Sequence, residues 1–588
     1  MSRVALLLSF VGPLLLSKFL LESFERNPSF LDRLVVFCLS WPIAREIRLR
    51  LEQRDLRARA SSRGALLAPL VSSPLPFGLS VLLTRLRMIH SGSPGDVIHL
   101  FNSRVPKPIH PDQPTKVFRS RVMGVETIWT IDHDDAKYFL STGFPNFGKS
   151  PLFKAGFRRL LGDGVFASDQ RGLWAWHRSL TRPHFVRERI ADVVAMEEHS
   201  HRVATWLSTQ TDLGKSVDIQ DIFARYTLTV GTQHLFGRCV DSLNDLIHDR
   251  IQTGPNAADF AQNFVAAQHW AIINSLLLHP LLISLGFRIR DRATEEVRQV
   301  VDTLVQDASL SLASQIKKNN ESDSSDQAEG GTASENLLDH LLTSGCSKEL
   351  VRQECLNILL AARDTTASLL SSCIYELARD SPRKTAMWRK LKDEVERLGS
   401  GIDVTLDQVR ELKYLRAVLN ESLRLHPPVW ANTRHAFEDD VLPSGVFVPA
   451  GTDCRFFIRE FQRNPEVWGK VSKKFSFYML FAEFMVVLIP RVTMITQTKD
   501  AEEFDPDRWI DSRKALQVKD PFSFQPFSAG PRICLGQQFA LAEASMMMIR
   551  VIEGFEGVDL DLSDGPVGAE APAVVLSFRG GLKVRFKK

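Results

Sequence analysis

The spacing of apolar and polar residues predicts a chain that is helical over most of its length, behind a strongly apolar N-terminus. Residues 4–21 contain Lys18 as their only charge. As a helix they would rise about 27 Å, close to the roughly 30 Å hydrocarbon thickness of a bilayer. Residues 34–43 form a second apolar stretch that is too short to span a membrane alone. We therefore expect an uncleaved membrane segment, with a signal peptide as the alternative, although no clear small-residue cleavage site follows.

A basic flank follows the apolar N-terminus. Between residues 45 and 63 seven arginines stand against three acidic residues. Such a flank stays on the cytosolic side and faces anionic headgroups, so the rest of the chain is expected in the cytosol. Prolines at 69, 74 and 76 predict a stiff hinge. The sequence thus divides into an anchor with its flank (1–64), a hinge region that begins the globular body (65–124) and one large domain (125–588).

The large domain has the pattern of a mainly α fold with small β-sheets. Residues 317–336 are polar and rich in Ser and Gly, which predicts a loose surface connection. Ser347 is the predicted N-cap of a long helix that runs to about residue 377, because Pro382 forbids its continuation. Short β-prone stretches at 446–448 and 573–586 predict small sheets beside the helices.

A second helical stretch is marked at both ends. Thr405 and Gln408 have the spacing of a capping box at its start. His426 and the two prolines after it mark its end, because the residue before a proline avoids helical geometry.

Composition argues against several classes of protein. A net charge of +4 over 588 residues gives no sign of a nucleic-acid partner. The seven cysteines are scattered and none has C-x-x-C spacing, which argues against a disulfide framework and a structural zinc site. No Gly-rich fingerprint follows a strand, so the chain carries no dinucleotide domain of its own.

The strongest chemical signal is residues 527–536, FSAGPRICLG. Gly530 and Gly536 allow the backbone to turn tightly and to approach a flat ligand. Cys534 precedes a strongly helical stretch, and the N–H groups of a helix N-terminus favour a thiolate. A thiolate held in this way is a strong axial ligand for heme iron, and Arg532 is placed to bond a heme propionate. The alternative is an ordinary buried cysteine in a Gly-rich turn.

This loop resembles the heme-binding loop of the cytochrome P450 family, and three further motifs agree in order and spacing. The resemblance covers about residues 125–588. It implies a single, mostly helical domain that binds heme between two long helices and takes electrons from an external donor. Within the loop it makes Cys534 the metal ligand, and Phe527, Arg532 and Gly536 cofactor-binding residues.

The second motif, residues 361–366 (AARDTT), resembles the oxygen-activation segment of the family. A threonine side chain can bond back to the carbonyl four residues earlier and loosen the helix there. The resemblance implies that Thr365 donates a hydrogen bond to dioxygen and that Asp364 helps to supply protons. Ala362 stands where the family often has glycine, and its methyl group is expected to narrow the groove.

The third motif is a structural ion network. Glu421 and Arg424 are three residues apart and share a helix face, so they can form a bidentate pair. Arg508, in the segment 504–509 (FDPDRW), resembles the third member of this network in the family. We interpret these residues as a clamp on the core rather than as catalytic groups.

The fourth motif, WAWHR, provides Trp174 and Arg178. It resembles the helix that covers one edge of the heme, where a tryptophan and an arginine hold a propionate. Arg434 resembles a further propionate partner. The alternative for a tryptophan and an arginine at this spacing is plain surface packing.

Residues 471–499 interrupt the family-like pattern. Without these 29 residues the chain reads NPEVWGK-DAEEFDPDRW, an unbroken segment of the family type. Residues 475–489 contain only Glu483 as a charge, which is unsuited to a surface loop. Val471-Ser472 can be encoded by GTAAGT, a common intron start. Our hypothesis is therefore a retained intron, and the alternative is a genuine insertion that touches lipid.

These features predict a heme-thiolate monooxygenase that uses O2 and electrons from an NADPH-dependent flavoprotein reductase. The segments FGKSPLF and LLGDGVFASD resemble the fungal branch that hydroxylates fatty acids and alkanes. A long aliphatic chain is the first expected substrate, followed by aromatic or terpenoid compounds. We expect attachment to lipid in the endoplasmic reticulum membrane with a cytosolic catalytic domain. The alternatives are a peroxide isomerase or dehydratase, against which Asp364 and Thr365 argue, and a non-catalytic or misfolded heme protein caused by the insertion.

Overall fold

The computed structural model describes residues 50–588 apart from 72–77, 92–115, 123–124, 170, 187–192, 245–256, 278–290, 322–335, 400–403, 470–498, 515–520, 564, 566 and 573. The predicted membrane segment lies outside these residues, as do the short apolar stretch after it and nearly all of the insertion. Within the described part of the chain, no helix is both long enough and apolar enough to cross a bilayer.

Helices form most of the described chain. In chain order they are α1 (50–61), α2 (Leu79–Ser91), α3 (His133–Leu140), α4 (Pro151–Leu161), α5 (Trp174–Thr181), α6 (Val194–Asp212), α7 (Ile219–Phe236), α8 (Ala257–Leu277), α9 (Arg292–Glu321), α10 (Leu337–Thr343), α11 (Lys348–Ala378), α12 (Lys384–Glu396), α13 (Leu406–Glu411), α14 (Lys413–Leu425), α15 (Ile458–Phe461), α16 (Pro465–Trp468) and α17 (Gln537–Gly554).

Short strands form small sheets beside the helices, as the sequence predicts. The strands are β1 (Val117–Val122), β2 (Val125–Thr130), β3 (Phe147–Gly148), β4 (Val217–Asp218), β5 (Asn432–Ala436), β6 (Asp440–Val441), β7 (Phe447–Val448), β8 (Asp453–Phe456), β9 (Gly557–Leu560), β10 (Glu570–Pro572), β11 (Leu576–Phe578) and β12 (Lys583–Lys587). The largest sheet has the order β1-β2-β8-β5-β3, in which β2 and β8 are parallel and the other pairs antiparallel.

The predicted helix caps are confirmed. Ser347 accepts a hydrogen bond from the Leu350 amide at 3.3 Å at the start of α11. Thr405 and Gln408 form both hydrogen bonds of a capping box at the start of α13. The helical stretch that follows this box divides into α13 and α14, and α14 ends at Leu425, directly before His426.

One predicted connection is shorter than expected. Residues 317–321 were predicted to be loose, but they form the last turn of α9, which runs to Glu321. Lysine and glutamate are good helix formers and this part of the segment has no glycine or proline, so the helix continues. At the C-terminal end of this predicted connection, Asn336 caps α10 by accepting a hydrogen bond from the Asp339 amide at 2.9 Å.

The central element is α11, which packs against α7, α9, α14 and α17. Its N-terminal half, residues 351–360, belongs to one apolar cluster with α4, α8 and α9. Its C-terminal half, residues 367–378, belongs to a second cluster with α14 and α17. The oxygen-activation motif, residues 361–366, lies between these two clusters, where the helix borders a cavity.

The end of the basic flank packs against the two-stranded sheet of β6 and β7. Arg59 and Arg63 both pair with Asp439, and their guanidinium groups lie over the ring of Phe447 at 5.6 and 5.5 Å. Further on, the Val71 amide bonds to a β1 carbonyl. Two arginines predicted to face headgroups therefore hold α1 to the protein body. The domain boundary at residue 64 stays a prediction.

Candidate functional site

A cavity of about 490 Å³ lies between α11 and the loop that precedes α17. Aliphatic and aromatic side chains make up most of its wall. Eight of the predicted site residues line it: Thr365, Trp174, Arg178, Arg434, Phe527, Arg532, Cys534 and Gly536. Asp364 does not line the cavity. The predicted ion network of Glu421, Arg424 and Arg508 does not line it either and is buried in the core.

The loop presents the thiol of Cys534 to this cavity. The Cys534 amide donates to the Phe527 carbonyl at 2.9 Å, which closes the loop, and α17 begins three residues later with Gly536 as its N-cap. Gly530 has a φ of +66°, and a Cβ atom there would lie 1.7 Å from the Leu140 carbonyl oxygen. Only glycine fits this turn, because the backbone packs so closely on α3.

Opposing effects act on the thiol. Burial raises the pKa of Cys534 above that of an ordinary thiol, whereas the N–H of Gly536 and the charge of Arg178 lower it. The groups that favour a thiolate are therefore already in place around Cys534. A cation bound to the sulfur would add to their effect.

Two arginines, Arg178 and Arg532, lie at the Cys534 loop on the same side of the cavity. Trp174 lies between the two, with the guanidinium carbon of Arg532 4.5 Å and that of Arg178 5.7 Å from its ring centre. Arg178 donates to the Ile533 carbonyl at 2.9 Å, and Arg532 to the Ser168 carbonyl at 2.8 Å.

These arginines are poorly balanced by acidic groups. Burial lowers the pKa of Arg532 to about 9, and the neighbouring charge of Arg434 adds to this effect. Burial also lowers the pKa of Arg434 to about 10, and its Nε atom has no hydrogen-bond partner among the described residues. A buried cation without a counter-ion is costly, so this side of the cavity fits a flat ligand that carries carboxylates. Together with the thiol, these residues fit heme.

Sequence reasoning missed one further member of this group, Lys149. Its Nζ atom lies 4.5 Å from the ring centre of Phe166 and 5.1 Å from that of Phe153. Burial, followed by the charges of Arg532 and Arg434, lowers the pKa of Lys149 far below the ordinary lysine value. The available signal was a lone lysine in the apolar segment FGKSPLF. We call Arg178, Arg434, Arg532 and Lys149 the cationic cluster.

The oxygen-activation motif has the expected local geometry at Thr365. Its Oγ1 atom donates to the Ala361 carbonyl at 2.6 Å, the back-bond expected from the sequence, although α11 continues without interruption. Asp364 is turned away, and its carboxylate accepts from Gln268 Nε2 and from Arg363 Nη1, each at 2.6 Å. The role in proton supply that the resemblance implies for this acid stays a prediction. In the structure Asp364 pairs with Gln268 of α8, because its position on the helix faces that neighbour.

The structure brings Glu421, Arg424 and Arg508 together in the core, each at most 2 % exposed. Arg424 donates to both carboxylate oxygens of Glu421 at 2.9 and 2.8 Å, and Arg508 donates at 2.8 Å. Burial alone would raise the pKa of Glu421, but the two arginines hold it below the ordinary value.

Both arginines also bind backbone carbonyls on either side of the insertion. Arg424 donates to the carbonyls of Gln462 and Ala501 at 3.0 and 2.6 Å, and Arg508 to that of Trp468 at 3.1 Å. The two ends of the interrupted segment therefore meet at the same ion network.

Comparison with known proteins agrees with this geometry. The family model described as cytochrome P450 matches residues 111–477 and 496–577, most of the chain. The chain belongs to the cytochrome P450 family. This P450 is 32 % identical to cytochrome P450 52A12 of Debaryomyces hansenii over 83 % of its own length and 86 % of the relative's. It is also 32 % identical to cytochrome P450 52A3-B of Candida maltosa, over 76 % and 79 %. It is 30 % identical to cytochrome P450 monooxygenase FPY7 of Fusarium mangiferae, over 79 % of each chain.

Membership of the family settles the class of reaction. The chain is a monooxygenase that uses heme with a cysteine thiolate on the iron, O2 and electrons from a redox partner, and acts on hydrophobic compounds. This confirms the predicted fold, cofactor and class of enzyme. The family match of this P450 is broken between residues 477 and 496, inside the predicted insertion.

Proposed function

We propose that this P450 hydroxylates long aliphatic chains, with fatty acids and alkanes as its substrates. The observation that carries the proposal is the cavity itself, in which an apolar wall leads to the Cys534 thiol and the cationic cluster. The likeness of the segments around Lys149 and Gly164 to the fatty-acid and alkane branch gives the substrate class. The test is turnover of dodecane and dodecanoate by microsomes with added NADPH-dependent flavoprotein reductase. Turnover of aromatic or terpenoid compounds alone would show that the aliphatic assignment is wrong.

In this proposal Cys534 binds the heme iron, and heme supplies the chemistry that activates dioxygen. Arg178, Arg434 and Arg532 hold the heme carboxylates, and the ring of Trp174 fixes the orientation of two of these arginines. Phe527 and Gly536 border the cavity on either side of Cys534 and shape the cofactor-facing side of the loop. Glu421, Arg424 and Arg508 support this arrangement from the core.

Thr365 and Asp364 would manage protons. The hydroxyl of Thr365 lines the cavity and can turn from the Ala361 carbonyl to a water or to dioxygen. Asp364, one residue away, lies outside the cavity wall, where its carboxylate contacts Arg363 and Gln268 of α8. This arrangement supports a proton route through α11 beside the cavity.

We expect Thr365→Ala to keep heme bound but to misdirect protons. Product formation should fall by on the order of 10²-fold, as is typical for a lost proton-transfer group, while NADPH consumption continues and peroxide accumulates. The measurement is product formed and peroxide released per NADPH. Thr365→Ser keeps the hydroxyl and should keep most of the coupling. Equal coupling in the alanine variant and the wild type would show that Thr365 has no such role.

We propose that residues 1–64 anchor the enzyme to the endoplasmic reticulum membrane, that residues 65–124 form the hinge and start of the body, and that residues 125–588 form the cytosolic catalytic domain. The apolar run at 4–21 and the basic residues after it support the anchor. Electrons would then come from a reductase in the same membrane.

Deleting residues 4–21 should weaken membrane attachment without abolishing it. The apolar stretch 34–43 and the basic flank remain, and one apolar segment with a polybasic patch can hold a protein to a membrane. Sedimentation of microsomes in low and high salt checks this, because salt weakens the contribution of the basic residues. Full solubility of both the complete chain and the deletion variant would show that this region is not an anchor.

A further inference from the structure

Arg455 is a further cation in the cavity wall, outside the cationic cluster, and its side chain is partly buried. It lies on β8, and its guanidinium carbon is 5.1 Å from the ring centre of Trp129. Within the described residues the guanidinium group forms no hydrogen bond and no ion pair, and its Nε atom is fully buried. The surrounding wall is apolar and includes Trp430 and Phe457.

The charges that act on Arg455 differ from those that act on the cationic cluster. The charges of Arg434 and Arg532 act on Lys149, and those of Arg434 and Arg178 act on Arg532. Burial lowers the pKa of Arg455, and among the described residues the one charge that acts on it is that of Asp453.

Asp453 does not supply the missing partner. Its two carboxylate oxygens accept from Ser150 Oγ at 2.6 Å and from His435 Nδ1 at 2.8 Å, and it forms no ion pair with Arg455. The guanidinium group therefore lies against apolar side chains with its donors free for a ligand.

An arginine in this position is suited to a carboxylate. A guanidinium group has five N–H donors in a planar fork that matches two carboxylate oxygens. Leaving such a group buried without an acceptor is costly, and a bound anion removes that cost. The aromatic wall around Arg455 and the apolar cavity beyond it suit a hydrocarbon chain attached to the same carboxylate.

We infer that Arg455 binds the carboxylate of a long-chain substrate and gives this P450 a preference for fatty acids over alkanes and alcohols. The inference rests on the proposed function and adds to it the side chain that recognises the polar end of the substrate. A heme propionate offers the same chemistry, so the experiment separates the two sources of carboxylate.

The experiment measures binding to the heme-loaded full chain by calorimetry, with dodecanoate and dodecan-1-ol as probes. These probes share a twelve-carbon chain and differ in the carboxylate. In Arg455→Gln we expect the affinity for dodecanoate to fall by about tenfold or more, the usual effect of losing a charge-assisted hydrogen-bonded pair, with an unchanged affinity for dodecan-1-ol. Arg455→Lys keeps the charge but not the planar fork of donors. Its affinity for dodecanoate should therefore lie between those of the wild type and Arg455→Gln. The control Arg389→Gln removes an equal charge from an exposed position on α12 and should match the wild type.

Four outcomes would overturn the inference. Equal affinity of the wild type for the two probes, or an equal effect of Arg455→Gln on both, would show that Arg455 does not recognise a substrate carboxylate. Loss of heme from Arg455→Gln, with no change of selectivity in Arg455→Lys, would assign Arg455 to a heme propionate. If the wild type neither binds nor hydroxylates either probe, the long-chain proposal itself is wrong, and the role of Arg455 is wrong with it.

Discussion

Replacing Cys534 by serine should abolish the absorption spectrum that a thiolate-ligated heme gives with carbon monoxide after reduction. A neutral alcohol is a poor axial donor, whereas the thiolate supplies strong electron density to the iron. The N–H of Gly536 and the charge of Arg178 stabilise the anion of a thiol, but a serine hydroxyl has far too high a pKa to ionise there. Monooxygenation should be lost with the spectrum.

The control for this experiment is a cysteine outside the cavity. Cys239 lies three residues after the end of α7, and partial burial of its thiol and the charge of Asp241 raise its pKa to about 11, so it is a neutral thiol. Cys239→Ser should keep the spectrum and the activity. Because the cationic cluster is intact in Cys534→Ser, residual heme is expected in that variant, and pyridine hemochrome content measures it. A thiolate-type spectrum in Cys534→Ser would show that another residue binds the iron.

The sequence predicted those parts of the site that depend on local geometry. The helix start after Cys534 and the back-bond of Thr365 are each set by residues within a few positions. The caps at Ser347 and Thr405 follow from the same kind of short-range hydrogen bond. Such features can be read from a motif because the backbone brings the partners together whatever the rest of the chain does.

The features of the site and its surroundings that escaped prediction depend on contacts between distant segments. Asp364 is turned towards Gln268, 96 residues earlier in the chain, and this pairing arises only when α8 packs beside α11. Arg455 is one residue of a short strand, and nothing near it in sequence shows that β8 borders the cavity. The contact of the basic flank is of the same kind, since Arg59 reaches Asp439, 380 residues away. A charge in a sequence does not reveal its partner until the fold is known.

The ion network explains why the insertion matters for folding. Glu421 and its two arginines are buried, and such a group is stable only when each charge keeps its partners. Four carbonyls on either side of residues 471–499 belong to this network: those of Gln462, Trp468, Ala501 and Glu503. The chain must therefore return to the same place after the insertion. A copy that fails to return leaves Arg424 without the Ala501 and Glu503 carbonyls and leaves Glu421 without Arg508.

Deleting residues 471–499, which joins Lys470 to Asp500, should raise the yield of soluble protein and the heme content per chain. Length alone is a minor factor, because loop-closure entropy costs only about 0.6 kcal/mol for each doubling. The larger factor is the apolar stretch 475–489, which competes for membrane or for other chains while the network forms. Pyridine hemochrome content and the carbon-monoxide spectrum of both forms measure the effect.

A variant in which a Gly/Ser linker of 29 residues replaces the insertion separates length from composition. If the apolar side chains of the insertion lower the heme content, the linker variant should load heme nearly as well as the deletion variant. A flexible linker closes the same span without apolar side chains. Sequencing of transcripts across codons 471–499 tests the intron hypothesis directly. A mature transcript that always contains this stretch, together with loss of heme in both the deletion and the linker variant, would show that the insertion is a genuine part of the enzyme and that its apolar side chains stabilise the fold.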